Sequence, residues 1–225
     1  MFVYEKNGKI NITFKDDMPV TIPEYELQFK DHTLIVNGVE ITPVEATILT
    51  DNVEYITANV IADSVAIDLN GHTISIPEDT VGDGVYHITS GGKLTIAGEG
   101  VINGVGKNDY NMAIWADGGD IYIKGGTFTN EGATASVDPA HFDLIYAKNG
   151  SIVEITGGTF ICETPQWTLN NNNDSKPGQF IVKGGRFYKF DPSNTKTEPT
   201  GDNNNFIADG YKVIQDGDWY EVIPE

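Results

Sequence analysis

Apolar and polar residues alternate along most of this chain, the period-two signature of strands with one buried face. The alternation comes in copies. The stretch "IYIKGGTF" at residues 121–128 recurs as "VEITGGTF" at 153–160 and as "FIVKGGRF" at 180–187. Two earlier stretches, "IDLNGHTI" at 67–74 and "LTIAGEGVI" at 94–102, fit the same pattern. Anchored on Ile67, Leu94, Ile121, Val153 and Phe180, the copies are spaced by 27, 27, 32 and 27 residues. The pairs Ile67/Leu69, Leu94/Ile96, Ile121/Ile123, Val153/Ile155 and Phe180/Val182 place their apolar side chains on one face. Copies of "KGGTF" are incompatible with a helix, because glycine costs a helix interior about 1 kcal/mol.

A second short strand belongs to each unit, in "VYHITSGGK", "AIWADGGD", "LIYAKNGS" and, more loosely, "TLNNNNDSKPGQ". The unit is therefore strand, turn, strand, glycine-rich turn, short strand. The best helical candidate is "PVEATIL" at 43–49, one or two turns at most. A repeat in the twenties with no helix predicts an all-β fold of stacked coils, a single-stranded parallel β-helix of about five coils. Strands of successive coils then lie about 4.8 Å apart. Phe128, Phe160 and Phe187 take equivalent positions and are expected to stack as an internal ladder. The double glycine beside a lysine is not a phosphate loop. That loop needs Ser or Thr after the lysine and a helix beyond, whereas here the lysine precedes the glycines and a strand follows.

The ends break the period. Residues 1–42 read as a small β-rich element, with "KINITF" alternating and Asn37-Gly38 as a two-residue hairpin turn between apolar arms. Such an element caps an open first coil or attaches the coils to something larger. Phe2, Tyr4, Ile10, Ile12 and Phe14 are its attachment candidates. The β-helix is assigned to 43–205, ending in a polar linker at 191–205, and 206–225 reads as a hairpin covering the last coil.

Charge narrows the partners. The chain of 225 residues carries 33 acidic and 14 basic residues, a formal net charge of −19. Nucleic acid and anionic membranes both demand a basic footprint, so neither is expected as a partner. The single cysteine, Cys162, permits no internal disulfide and reads as a small buried hydrophobe. The N-terminus carries Glu5, Lys6 and Lys9 and no apolar run, so no signal peptide is expected, and synthesis is expected in a cytoplasm.

The spacing of 32 places about five extra residues between Phe128 and Val153, in the stretch 130–143. Loops that interrupt a regular coil are where binding surfaces tend to be built. This one holds His141 and Phe142, and the next coil brings Trp167, making a candidate patch for a sugar or a neighbouring subunit. The competing reading is that both rings cover the side of the coils. Asp117/Asp120, Asp138/Asp143 and Asp202 are hard oxygen ligands on turns, suited to weak surface calcium. No EF-hand loop or paired zinc spacing is present, so neither a metal site nor a cofactor is assigned.

The segments "AIDLNGHTI" and "KLTIAGEGVING" and the "GGTF" turns, over roughly 50–205, resemble the right-handed parallel β-helix of the pectin-lyase-like superfamily. Lyases of that superfamily use a basic residue, usually arginine, beside calcium-binding carboxylates. This chain has one arginine, Arg186, equivalent to the turn residues Thr127 and Thr159. The hydrolases carry NxD, DD, GHG and RxK on neighbouring coils. Here "NGHT" lacks the GHG, Asp16-Asp17 lies outside the coils, and "RFYK" is one residue too long. No catalytic residue is assigned. The ending "ADGYKV" is similar to that of repeat-rich phage and gut-bacterial surface proteins. The resemblance thus implies a non-catalytic virion component of a tailed phage, of head-fibre, decoration or tail-spike type. It also implies capsid proteins and a host glycan as partners and a homotrimeric assembly. A polysaccharide depolymerase and a bacterial surface repeat protein are the alternatives.

Overall fold

The computed structural model describes residues 2–6, 9–13, 27–30, 33–36, 39–41, 44–76, 84–105, 111–132, 142–171, 176–198 and 201–225. They form two compact units, Met1–Thr47 and Ile48–Glu225.

In the first unit Phe2–Lys6 and Lys9–Thr13 pair antiparallel, and Val44–Ile48 runs parallel to Phe2–Lys6. Leu27–Lys30, Thr33–Val36 and Val39–Ile41 form a meander. Its second hairpin pairs Val36 with Val39 across two residues, as the Asn37-Gly38 signal predicts, although those two lie outside the described residues. The short helix expected at 43–49 is a strand, Val44–Ile48. Val44, Thr47 and Ile48 are β-branched and favour a pleated surface over a helix.

The second unit is a parallel β-solenoid. Its first sheet stacks Ser64–Asp68, Lys93–Ala97, Asp120–Ile123, Ile152–Ile155 and Gln179–Val182. The second stacks Val53–Glu54, Thr73–Ser75, Val101–Asn103, Thr127–Thr129, Thr159–Ile161 and Arg186–Tyr188. The third stacks Asn59–Ile61, Tyr86–Thr89, Ile114–Asp117, Ile145–Lys148 and Leu169–Asn171. A chain passing from sheet one to two to three completes one coil. It does so four times, with a partial coil at either end, where about five coils were expected. The only helical element among the described residues is the 3₁₀ turn Pro165–Trp167.

The register follows the predicted anchors from Leu94 onward: Leu94, Ile121, Val153 and Phe180 pair in sequence. The first anchor is displaced by two residues, because Leu94 pairs with Val65 and Ile67 with Ile96. Leu69 is the reason. Its side chain is fully buried in the corner after the strand, where later coils place glycine. A Cβ at Gly100 would meet Leu69 Cβ at 2.5 Å, and one at Gly126 would meet Leu69 Cδ1 at 2.6 Å.

Inward positions fill the solenoid with Ile, Leu, Val and Phe, each contributing about 1.5–3 kcal/mol on full burial. The predicted aromatic ladder is present. Phe128 and Phe160 stack at 5.2 Å between centroids and Phe160 and Phe187 at 4.6 Å, all three fully buried. The repeated double glycine has two separate causes, seen at Gly157 and Gly158. A Cβ at Gly157 would meet the Lys124 carbonyl oxygen of the preceding coil at 2.6 Å, whereas Gly158 adopts φ +104°. One glycine lets coils approach and the other turns the chain.

The last coil is covered as predicted. Trp219–Pro224 pairs antiparallel with Arg186–Tyr188, and Tyr211–Asp216 pairs with Trp219–Pro224 across a two-residue turn. The segment 191–205, read as a linker, is more ordered than that. Asp191 Oδ1 accepts from the Ser193 amide, and Thr195–Thr197 pairs with Gly201–Asn204 while burying Thr195 and Thr197. The alternating threonines supply the strand, a signal hidden by the polar composition around them.

Candidate functional site

Three sheets offer three outer faces, and their side chains differ in kind. On the first, Ala66, Thr95, Tyr122 and Glu154 share a register row and are all buried. On the second, the outward row is mainly small and polar, running Thr73, Val101, Thr127, Thr159 and Arg186. The third carries rings and charges. Its inward residues, among them Tyr86, Ile88, Ile114, Ala116, Ile145 and Ala147, are fully buried. Alternation then sends His87, Trp115 and Tyr146 outward in one register row, with Val60 before them and Asn170 after. A second outward row aligns Thr89, Asp117 and Lys148.

The two rows bind each other. The His87 imidazole stacks on the Trp115 indole at 4.1 Å with planes 5° apart. The Lys148 ammonium lies 4.4 Å from the Trp115 ring centroid. Asp117 Oδ2 faces His87 Nε2 at 3.3 Å and Lys148 Nζ at 3.6 Å. Asp117 Oδ1 accepts from Asn149 Nδ2 at 2.5 Å. Asn149 is held at φ +56°, a left-handed conformation that asparagine tolerates. The Asp117 carboxylate thus has both oxygens engaged.

Further along the same face, the buried Asn170 joins two acids. Its Nδ2 donates to Asp143 Oδ1 at 2.9 Å and to Glu198 Oε1 at 3.1 Å, which keeps those oxygens within about 6 Å of each other. Its Oδ1 accepts from the Glu198 amide, and the Tyr146 hydroxyl donates to Glu198 Oε2 at 3.3 Å.

The candidate patch at Phe142 and Trp167 takes a different form. Phe142 is 2% exposed and Trp167 8%, so neither offers a ring face for stacking. His141 lies outside the described residues. The Phe142 carbonyl instead accepts from Cys162 Sγ at 3.1 Å, and burial pushes that thiol up to about 12. The rings plug the side of the coils, the competing reading of the sequence. The lengthened corner itself lies where expected. Fifteen residues separate Thr127–Thr129 from Ile145–Lys148, against ten at the same corner in each of the two coils before and seven in the one after. Asn130 fastens its start: its Nδ2 donates to the carbonyls of Asn111 and Asp143, and its Oδ1 accepts from the Glu163 amide.

Of the attachment candidates, Phe2 pairs with Thr13 and Tyr4 with Asn11, whereas Ile10 and Ile12 pair with Glu5 and Val3. Phe14 lies outside the described residues. Of the aspartates named as oxygen ligands, Asp138 lies outside the described residues. Among the described residues no three of His, Cys, Asp and Glu lie close enough to hold an ion. Of His87, Trp115, Asp117 and Lys148, which come from the two rows, the sequence singled out Asp117 alone, as an oxygen ligand. The signal for the group was available, because "YHIT", "IWAD" and "IYAK" place these residues at alternate positions of equivalent strands.

Fold and face together define a capped parallel β-solenoid with one ring- and charge-bearing exterior. No family model, curated protein or solved structure matches the chain.

Proposed function

We propose that this chain is a non-catalytic structural and adhesion component of a tailed-phage virion, a capsid head fibre or decoration protein. In this reading the first unit attaches to the capsid, and the solenoid presents its third face to host glycan. The observation that carries it is the locked exterior group drawn from the two rows of the third face. His87, Trp115, Asp117 and Lys148 satisfy one another on a rigid sheet, which suits a surface made for display. A reactive centre would instead leave its acid or base open to a substrate. The test is particle composition. Peptides of this chain are expected in density-purified phage particles made from the genome that encodes it, and deletion of residues 1–42 is expected to remove them.

A depolymerase is the second reading, favoured by the Asp143–Glu198 pair. Paired carboxyl groups about 5–5.5 Å apart suit retaining glycosidases, and a separation of about 6.5–9.5 Å suits inverting ones. Incubation with host capsule separates the two readings. Release of oligosaccharide that Glu198→Gln abolishes would establish the enzyme.

A further inference from the structure

A cleft of about 440 Å³ lies at the capped end of the solenoid, away from the His87 row. It is walled by Gln166, Lys189, Asp191, Asn194, Lys196 and Asn203, with Phe190 also lining it. The 3₁₀ turn Pro165–Trp167 and the hairpin of Thr195–Thr197 with Gly201–Asn204 bring these residues together.

Three observations set this cleft apart. The first is backbone conformation. Only four described non-glycine residues adopt positive φ, and two of them, Lys189 at +52° and Asn203 at +69°, line this space. A lysine there is unfavourable and persists only where its surroundings hold it. The second is a lysine outside any ion pair among the described residues, a state it shares with Lys93, Lys176 and Lys212 but here combined with a cleft. In a chain of net charge −19, the exposed Lys196 ammonium makes no ion pair among the described residues and is held 5.7 Å from the Trp167 ring centroid. The third is the wall chemistry. The side-chain amides of Gln166, Asn194 and Asn203, all lining residues, carry both donors and acceptors.

The cleft has one acid, Asp191, and its Oδ1 is held by the Ser193 amide and hydroxyl at 2.9 and 2.7 Å. Lys189 lies 3.6 Å from Asp218, which leaves Lys196 as the available charge. Acidic residues elsewhere repel an anion weakly, since the screening length at physiological salt is about 8 Å. An ammonium in contact with a carboxylate lies well inside that length and keeps most of its modest attraction.

We propose that this cleft binds a sugar residue carrying a carboxylate, with Lys196 facing the carboxylate and the amide side chains facing the hydroxyls. The proposal names a ligand for the adhesion reading and rests on that reading only for the source of the sugar. Ligand-observed NMR and calorimetry on the full chain test it, with methyl β-D-glucuronide and methyl β-D-glucoside as probes. The glucuronide is expected to bind with a Kd of about 1 mM, typical of one small polar ligand. The glucoside is expected to bind about tenfold more weakly. Lys196→Gln should erase that preference, and because Lys196 is exposed the fold should survive, as an unchanged melting temperature would show. Asn203→Gly should weaken both probes alike. Equal binding of the two sugars, no binding of either at 10-fold above the expected Kd, or a glucuronide preference that persists in Lys196→Gln would each overturn the proposal. Such failure leaves the virion assignment standing, because particle composition decides that one.

Discussion

The ring of Phe160 lies 4.6 Å from that of Phe187, with planes 10° apart, and 5.2 Å from that of Phe128 on its other side. A phenylalanine between two others has no freedom to collapse when it is cut back, because parallel strands fix both neighbours at ladder spacing. Phe160→Ala is therefore expected to cost about 3–5 kcal/mol, the range for buried aromatics. Urea denaturation followed by circular dichroism checks this. A loss below about 1 kcal/mol would mean that the ladder does not carry the core.

Two glycines with different roles, Gly184 of a double-glycine turn and Gly210 of the cap, make a sharper prediction. Gly184 has an ordinary φ, yet a Cβ there would meet the Thr156 carbonyl oxygen at 2.3 Å. Gly210 has φ +79° and open space around it. Gly210→Ala should cost about 1–2 kcal/mol from backbone conformation alone. Gly184→Ala should cost at least as much, about 2–3 kcal/mol, because a neighbouring coil must move. Thermal melts of the two variants settle the order.

Asn130 holds the start of the longest corner through two donated bonds and one accepted bond. Asn130→Ala leaves one buried and two part-buried backbone groups without this partner, at about 1–3 kcal/mol for a fully buried one and less for the others. Destabilisation by about 3 kcal/mol is expected, with faster hydrogen exchange at the Glu163 amide. Unchanged exchange there would show that another group fastens this corner.

Burial raises the Cys162 thiol from its ordinary 9.0 to about 12. The folded protein then keeps a proton that the unfolded chain releases between about pH 9 and 12. This contribution to stability is complete below about pH 9 and is lost as the pH climbs toward 12. Iodoacetamide at pH 8 should leave the native thiol intact and modify it only in denaturant. Cys162→Ser, which removes this titration, should flatten that part of the alkaline melt.

Much of this architecture was legible because a solenoid repeats its instructions. Ile121, Val153 and Phe180 could be aligned by the double-glycine turn that follows each of them, across one spacing of 32 and one of 27, and the structure pairs them. The same rule misplaced Ile67, since the corner there is filled by Leu69 instead of being left to glycine. Alternation also hid the exterior group. His87, Trp115 and Asp117 are outward residues of strands recognised for their inward ones, and their partnership appears only when coils are stacked in register. Phe142 and Trp167 carried two readings, an exposed patch or a cover for the side of the coils, because alternation says nothing about rings in irregular segments; their burial decides for the cover.

The account stands on this chain being a displayed part of a particle. Quantitative mass spectrometry of density-purified phage particles measures that directly. The reading predicts its peptides at a fixed ratio to the major capsid protein, retained after a high-salt wash and lost when residues 1–42 are deleted. Absence from intact particles, with the protein recovered only in the soluble lysate, would contradict it.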